Sequence, residues 1–404
     1  MLAKVYSAAV LGVEGIPVTV EVDIANGLPV FTTVGLPDGS VRESKDRVKA
    51  AIKNSGYTFP GRRVTVNLAP ADLRKEGTAF DLPIALGLLI ASELISQESI
   101  DRFMVVGELS LDGTIRAVPG VLSMAIRAEE AGLEAIIVPA ENAGEAAMAR
   151  KLKVIPASRL HEIVETLNGM TELSAYQATE DHTEHFDYPV GFEDVKGQEV
   201  AKRALEIAAA GMHNVLLKGP PGTGKTMLAK SVPSILPDLS FDEKVETTKI
   251  YSIIQDFRNE SFSLIKCRPF RSPHHTISDA GLVGGGSVPR PGEVSMAHNG
   301  VLFLDELPEF RKNVLEVLRQ PLEDGVVTIS RSQKSLSFPA QFMLIAAMNP
   351  CPCGYHGSFK KECNCNDLQI RRYHNKLSGP LLDRIDMHLE VGEVEFEELQ
   401  CKPQ

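Results

Sequence analysis

The sequence has no apolar stretch long enough to cross a bilayer. The longest run, Leu82 to Ser92, falls well short of the ~20 residues that a spanning helix needs. Its N-terminus, Met1-Leu-Ala-Lys-Val-Tyr-Ser-Ala-Ala-Val, carries one Lys and only a short apolar stretch before Glu14, which is no export signal. A soluble cytoplasmic protein without a membrane partner is therefore expected. Positive charge is also short. The chain has 42 Lys and Arg against 53 Asp and Glu, a formal charge of -11, which argues against a general basic coat for nucleic acid and leaves only local basic surfaces. Cysteine is scarce, and four of the six lie between Cys351 and Cys365, unlike a disulfide framework spread through a secreted chain. A metal site is the better reading.

What is present is globular. Apolar and charged fractions are ordinary, and 404 residues suggest two or three domains. Val18-Thr-Val-Glu-Val-Asp-Ile24 and Arg63-Val-Thr-Val-Asn-Leu68 alternate as half-buried strands do, and Phe103-Met-Val-Val-Gly107 reads as a third strand. Helical spacing runs from Val41 to Ser55 and from Gly120 to Ala131, the latter leading into a strand from Ala135 to Val138. The pattern gives an α/β domain over 1–168. Residues 171–188 then carry Glu172, Glu180, Asp181, Glu184 and Asp187 with no Lys or Arg, so 169–188 reads as an acidic linker in which His182 and His185 are solvated histidines.

The second domain, 189–404, is built around Gly219-Pro220-Pro221-Gly222-Thr223-Gly224-Lys225-Thr226. This is a complete G-x-x-x-x-G-K-T loop between the apolar Asn214-Val-Leu-Leu-Lys218 and the helix-forming Met227-Leu-Ala-Lys-Ser231. Such a loop turns backbone N–H groups onto a polyphosphate, Lys225 supplies a point charge for the β and γ phosphates, and Thr226 offers a hydroxyl to Mg²⁺. ATP with Mg²⁺ is the implied cofactor. Val301-Leu-Phe-Leu-Asp305-Glu306 is a buried strand delivering two carboxylates at its end, Asp305 for Mg²⁺ and Glu306 to orient and deprotonate the attacking water. Phe342 to Met348 is a third such strand, followed by Asn349. Cys351-Pro-Cys353 and Cys363-Asn-Cys365 can supply four thiolates to one Zn²⁺, with His356 or His374 as substitutes and reduced free thiols as the plain alternative. Cys267 and Cys401 look unpaired.

Taken together, these motifs resemble the ComM/YifB family of magnesium-chelatase-like proteins over essentially the whole chain. The resemblance in Asn67-Leu-Ala-Pro-Ala-Asp72, Gly77-Thr-Ala-Phe-Asp-Leu-Pro83 and Val106-Gly-Glu-Leu-Ser-Leu-Asp-Gly113 implies an N-terminal Lon protease-like (ribosomal S5 domain 2-like) α/β domain ahead of a P-loop AAA+ α/β core. Proteolysis is not implied. Ala79 and Leu122 stand where the protease has its nucleophile and lysine, and a one-residue slip offers only Thr78, still without a lysine. Val195 and Gln198, in Phe192-Glu-Asp-Val-Lys-Gly-Gln198, are carried over as adenine neighbours, and Asn349 as the γ-phosphate sensor.

Ser378-Gly-Pro-Leu-Leu-Asp-Arg384-Ile-Asp386 resembles the family's arginine-finger segment, which implies a homo-hexameric ring in which Arg384 reaches a neighbour's nucleotide. The plain alternative pairs Arg384 with Asp383 or Asp386. Arg331 and Lys334, at the tip of a hairpin spanning 324–339, and Arg268 and Arg271, in the 266–298 insertion, are the candidate DNA contacts lining a pore; a solvated hairpin tip is the bland reading. The resemblance implies an ATP-driven DNA motor, a helicase promoting branch migration in natural transformation. A chelatase motor subunit, a nucleotide-dependent scaffold and an ATP-dependent protease are the rivals. Family members continue into a helical lid, and an end at Gln404 leads one to expect a truncated product with impaired turnover.

Overall fold

The computed structural model describes residues 1–172, 174–177, 188–254, 264–286, 289–330, 335–359 and 361–394. Most of the expected acidic linker, with His182 and His185, lies outside the described residues. The chain divides into two compact units, residues 1–181 with 251–264, and residues 182–250 with 265–404. No helix among the described residues is long and apolar enough to cross a membrane.

The first unit is mixed α/β. Its elements are β1 (Leu2–Leu11), β2 (Glu14–Ala25), β3 (Phe31–Val34), α1 (Gly39–Asn54), β4 (Arg63–Ala69), α2 (Asp81–Ala91), β5 (Phe103–Val105), a short pair of β6 (Glu108–Leu109) and β7 (Ile115–Arg116), α3 (Val121–Glu130), β8 (Ala135–Pro139), α4 (Ala143–Ala146), β9 (Lys153–Ala157) and α5 (Leu160–Leu167). Seven strands form one sheet in the order β3-β4-β2-β1-β5-β8-β9. The β1–β2 and β2–β4 pairs are antiparallel and the others parallel. Alternation fixes the register, because Val18, Val20, Val22 and Ile24 all face the core. The α1 helix starts where Asp38 accepts a hydrogen bond from the Val41 N–H at 2.8 Å.

The apolar run from Leu82 becomes α2, buried at every residue and packed against β1, β2 and α1. A helix apolar all round belongs inside. Its approach to the sheet is close, since a Cβ on Gly87 would stand 2.7 Å from Val22 Cγ2. Similarly, a Cβ on Gly15 would lie 2.3 Å from the Ser123 carbonyl oxygen of α3. Ala79 and Leu122 are both buried apolar side chains.

The second unit contains α6 (Glu199–Gly211), β10 (Val215–Lys218), α7 (Lys225–Ser231), β11 (Phe270–Arg271), a small β12 (Gly284–Gly285) and β13 (Arg290–Pro291) pair, β14 (Gly300–Leu304), the β15 (Val326–Ser330) and β16 (Ser335–Pro339) hairpin, β17 (Phe342–Met348) and β18 (Met387–Glu390). Five strands form an all-parallel sheet, ordered β11-β14-β17-β10-β18. Such sheets are covered on both faces. Accordingly Leu302, Leu304, Leu344 and Ala346 join one core, and Val301, Phe303, Met343 and Ile345 join another. All three apolar runs seen in the sequence thus lie side by side, with β17 in the middle.

Two stability measurements follow from the first unit. Gly15→Ala should destabilise it by about 1–3 kcal/mol, read as a lowered melting temperature, because backbone rather than a flexible tip blocks the new methyl. Glu145 is fully buried, and burial raises its pKa to about 7 although Leu122 N–H, Asn142 Nδ2 and Ser252 Oγ donate to it. The folded form thus binds a proton that the unfolded chain releases near pH 4.5, so stability should fall as pH rises from about 4.5 to 7 and then level off. Glu145→Ala should flatten that dependence in thermal melts taken across the window.

Candidate active site

The site forms where β10, β14 and β17 end. Gly219 leaves β10 so tightly that a Cβ there would lie 2.2 Å from the Val391 carbonyl oxygen, and Gly222 and Gly224 take φ of 81° and 87°. Only glycine adopts this winding without strain. It delivers Lys225 and Thr226 as the first residues of α7. The Lys225 ammonium donates to the carbonyls of Gly219 at 2.8 Å and Pro220 at 2.7 Å, and lies 3.4 Å from Asn349 Oδ1. Burial lowers its pKa, which the Asp305 carboxylate partly offsets. The Lys225 charge is thus held in a desolvated pocket by weak carbonyl partners, a setting in which an anion binds strongly.

Thr226 Oγ1 donates to Asp305 Oδ2 at 2.8 Å, and Asp305 Oδ1 accepts the Glu306 N–H at 2.9 Å. A hydroxyl beside a carboxylate at a strand end is a hard-oxygen pair that fits Mg²⁺. Glu306 has φ of 52°, a left-handed conformation that costs a non-glycine residue about 1–3 kcal/mol and is found at functional sites. Its carboxylate is exposed, with Oε2 at 3.4 Å from His275 Nδ1. His275 also stacks near His274, ring centroids 4.1 Å apart. No sequence pattern links His275 and Glu306, which lie 31 residues apart and meet only through the fold.

A cavity of about 390 Å³ adjoins the loop, lined by Val195, Gln198, Pro221, Thr223, Met227 and Glu393 among others. This is within the range of small-molecule sites. Gln198 Nε2 bridges the carbonyls of Thr223 at 3.2 Å and Gly392 at 2.7 Å, tying the phosphate loop to the segment after β18. Val195 is buried in the wall.

Arg384 lies elsewhere. Its guanidinium pairs with Glu323, Nε at 2.9 Å from Oε1, and not with Asp383 or Asp386. Its carbonyl accepts from Asn214 Nδ2 at 2.9 Å, and Asp386 accepts from the Asn214 N–H at 2.8 Å. Asn214 precedes β10, so Arg384 sits at the opposite end of that strand from the phosphate loop.

Two of the candidate DNA contacts, Arg268 and Arg271, are engaged within their own unit. Arg268 is buried, donating to the carbonyls of Pro237 at 2.5 Å and Asn299 at 2.7 Å and facing Glu243 at 3.5 Å. Arg271 makes a two-pronged pair with Glu293 at 2.6 and 2.7 Å. Both charges are neutralised within the unit, so neither offers net positive charge to a phosphate backbone. Arg331 and Lys334 lie outside the described residues, although the arms below them pair from Val326–Pro339 to Ser330–Ser335 as the hairpin reading expects.

The sulfurs of Cys351, Cys353, Cys363 and Cys365 come within 4.8 Å of one another, a donor set that suits a soft metal such as Zn²⁺. Neither substitute histidine is needed: His374 Nε2 lies 3.1 Å from the Pro350 oxygen, and His356 meets Cys351 through its backbone N–H. Cys267 is a free thiol, and Cys401 lies outside the described residues.

Comparison with known proteins places the chain in a family. The family model described as "Magnesium chelatase, subunit ChlI" matches residues 191–399, and that described as "Subunit ChlI of Mg-chelatase" matches 20–142. The YifB protein of Salmonella typhimurium is 48% identical over 392 residues, 96% of this chain and 76% of its own. Competence protein ComM of Haemophilus influenzae is 48% identical over 394 residues, with the same two shares. Among solved structures, the complex between subunits BchI and BchD of magnesium chelatase matches with 22% identity and a TM-score of 0.38, over 52% of this chain and 64% of that one. Because one family model spans more than half of the chain and near-half identity runs almost throughout, the chain belongs to the magnesium-chelatase ChlI family, in its group of ComM and YifB proteins.

Proposed function

We propose that the chain is the subunit of an Mg²⁺- and ATP-dependent AAA+ motor, assembled as a homo-hexamer and acting on DNA as a helicase that promotes branch migration during natural transformation. The observation that carries the ATPase reading is the meeting of Lys225, the Thr226–Asp305 pair and Asn349 at three neighbouring strand ends. Phosphoryl transfer is mainly positioning and charge neutralisation, and this constellation supplies both.

In this reading Gly219 to Gly224 wrap the phosphates with backbone N–H groups, and Lys225 exchanges its two carbonyl partners for β- and γ-phosphate oxygens. Thr226 and Asp305 hold Mg²⁺, which supplies further charge neutralisation. Glu306 orients the attacking water and takes its proton as the oxygen bonds to the γ-phosphorus. Asn349, sharing Lys225 as a neighbour, senses the γ-phosphate or holds that water. Arg384 of an adjacent subunit stabilises charge as the leaving group departs, which requires a ring because its own phosphate loop is at the other end of β10.

Support for DNA as substrate is the likeness to a protein named for competence. The basic contacts that remain are Arg331 and Lys334, since Arg268 and Arg271 are committed to internal pairs. The second reading is a chelatase motor subunit, favoured by the description of the matching family model. A labelled four-way junction with ATP separates the two. The DNA motor should exchange strands, whereas a chelatase subunit should ignore DNA and respond to partner chelatase subunits.

Site variants test the chemistry. Lys225→Ala should abolish nucleotide binding in a fluorescent-nucleotide titration. Glu306→Gln should keep binding and slow hydrolysis by about 10²–10⁴, the usual contribution of a general base. If Glu306→Gln turned over at the parental rate, the base would lie elsewhere.

A further inference from the structure

One cluster of soft ligands stands outside the phosphate site. Cys351 and Cys353 follow Asn349 directly from the end of β17, and Cys363 and Cys365 return just before the helix Asp367–His374. Sulfur separations are 3.3 Å for Cys351–Cys353, 3.7 Å for Cys351–Cys363 and 3.6 Å for Cys353–Cys363. Four thiolates at ~2.3 Å from one tetrahedral Zn²⁺ stand about 3.8 Å apart along each edge. The observed spacings approach that figure, and all four cysteines are free of disulfides. Backbone N–H groups of His356 and Cys365 point at Cys351 Sγ and Cys363 Sγ from 3.3 and 3.4 Å. Such donors are the outer shell that steadies thiolate ligands.

The loop held by these thiols touches the nucleotide site at three points. Gly354, with φ of 87°, passes so close that a Cβ would lie 2.9 Å from Pro221 Cδ and 3.9 Å from Asn349 Cγ. Ser358 Oγ donates to Glu393 Oε1 at 2.8 Å, and Glu393 lines the cavity. The Tyr373 hydroxyl, on the helix that Cys365 leads into, lies near the Asn349 N–H. The loop therefore packs against both Asn349 and Pro221.

We propose that Cys351, Cys353, Cys363 and Cys365 bind one Zn²⁺, and that the loop it closes is a positioning element for Asn349 and the phosphate loop. The metal site stands on its own geometry, and its effect on turnover rests on the ATPase reading above. With metal bound, Asn349 is fixed relative to Lys225. Without it, nucleotide still meets the loop from Gly219 to Thr226, but the γ-phosphate loses a fixed neighbour. The effect should thus fall on kcat rather than on nucleotide affinity.

The test is elemental analysis of the purified full chain, paired with nucleotide binding and ATPase rates, for the parental protein and for Cys363→Ser and Cys365→Ser. We expect one zinc per parental chain and little in either variant. The kcat should fall about 10–100-fold, the usual cost of disturbing what supports a metal site, with nucleotide Kd within about threefold. Stripping the parental protein with a zinc-selective chelator, then restoring Zn²⁺ with Mg²⁺ present throughout, should remove and return the rate, which covers variants that fail to fold. Reduced parental protein that takes up no zinc overturns the site. Zinc loss with an unchanged kcat overturns the positioning role. A parental chain that holds one zinc yet binds no ATP refutes the ATPase reading and leaves the metal site standing.

Discussion

The parallel run of five strands governs everything else in the second unit. Because all of them point one way, side chains that follow their C-terminal ends share one edge, and residues that precede their N-terminal ends share the other. The first edge gathers Lys225, Thr226, Asp305, Glu306 and Asn349. The second carries Asn214, Asp386 and Arg384, linked by hydrogen bonds at 2.8 and 2.9 Å. The four residues of β10 alone separate the two edges by about 13 Å at ~3.3 Å per residue. A single chain therefore carries Lys225 and Arg384 on edges that face away from each other.

Electrostatics at the first edge fits that division. Lys225 is desolvated, its pKa lowered by burial, and its near partners are two carbonyls and one amide oxygen. The Asp305 carboxylate is engaged by a hydroxyl and a backbone N–H, not by the lysine. Positive and negative groups thus stand side by side without forming an ion pair. Arg384, by contrast, rests on Glu323 with both side chains well exposed. An exposed ion pair contributes little and is readily exchanged for a new partner.

Much of this was legible in the sequence, and the reason is local. Gly219 to Thr226 must be contiguous to wrap a phosphate, and Val301 to Asp305 and Phe342 to Asn349 declare themselves by apolar runs that end in polar groups. The half-buried strands of the first unit announced their inward faces by alternation. Other features depend on residues distant in the chain. Arg268 and Arg271 read as free cations because nothing nearby reveals that Glu243 and Glu293 will fold onto them. The run from Leu82 has no polar face to set its period, so only the structure shows it to be a fully buried helix. Met387–Glu390, the edge strand that follows Arg384, alternates too briefly to stand out, yet it is what fixes Arg384 beside Asn214.

The central claim, that each catalytic site takes Lys225 from one chain and Arg384 from another, is open to one direct measurement. Lys225→Ala and Arg384→Ala proteins, each inactive alone, would be mixed in equal amounts and their ATPase rate followed. If the site is shared, random mixing leaves about a quarter of the interfaces with both residues intact, so activity should return toward about a quarter of the parental rate. A mixture that stays as inactive as its two components, while still forming mixed assemblies, would contradict the account.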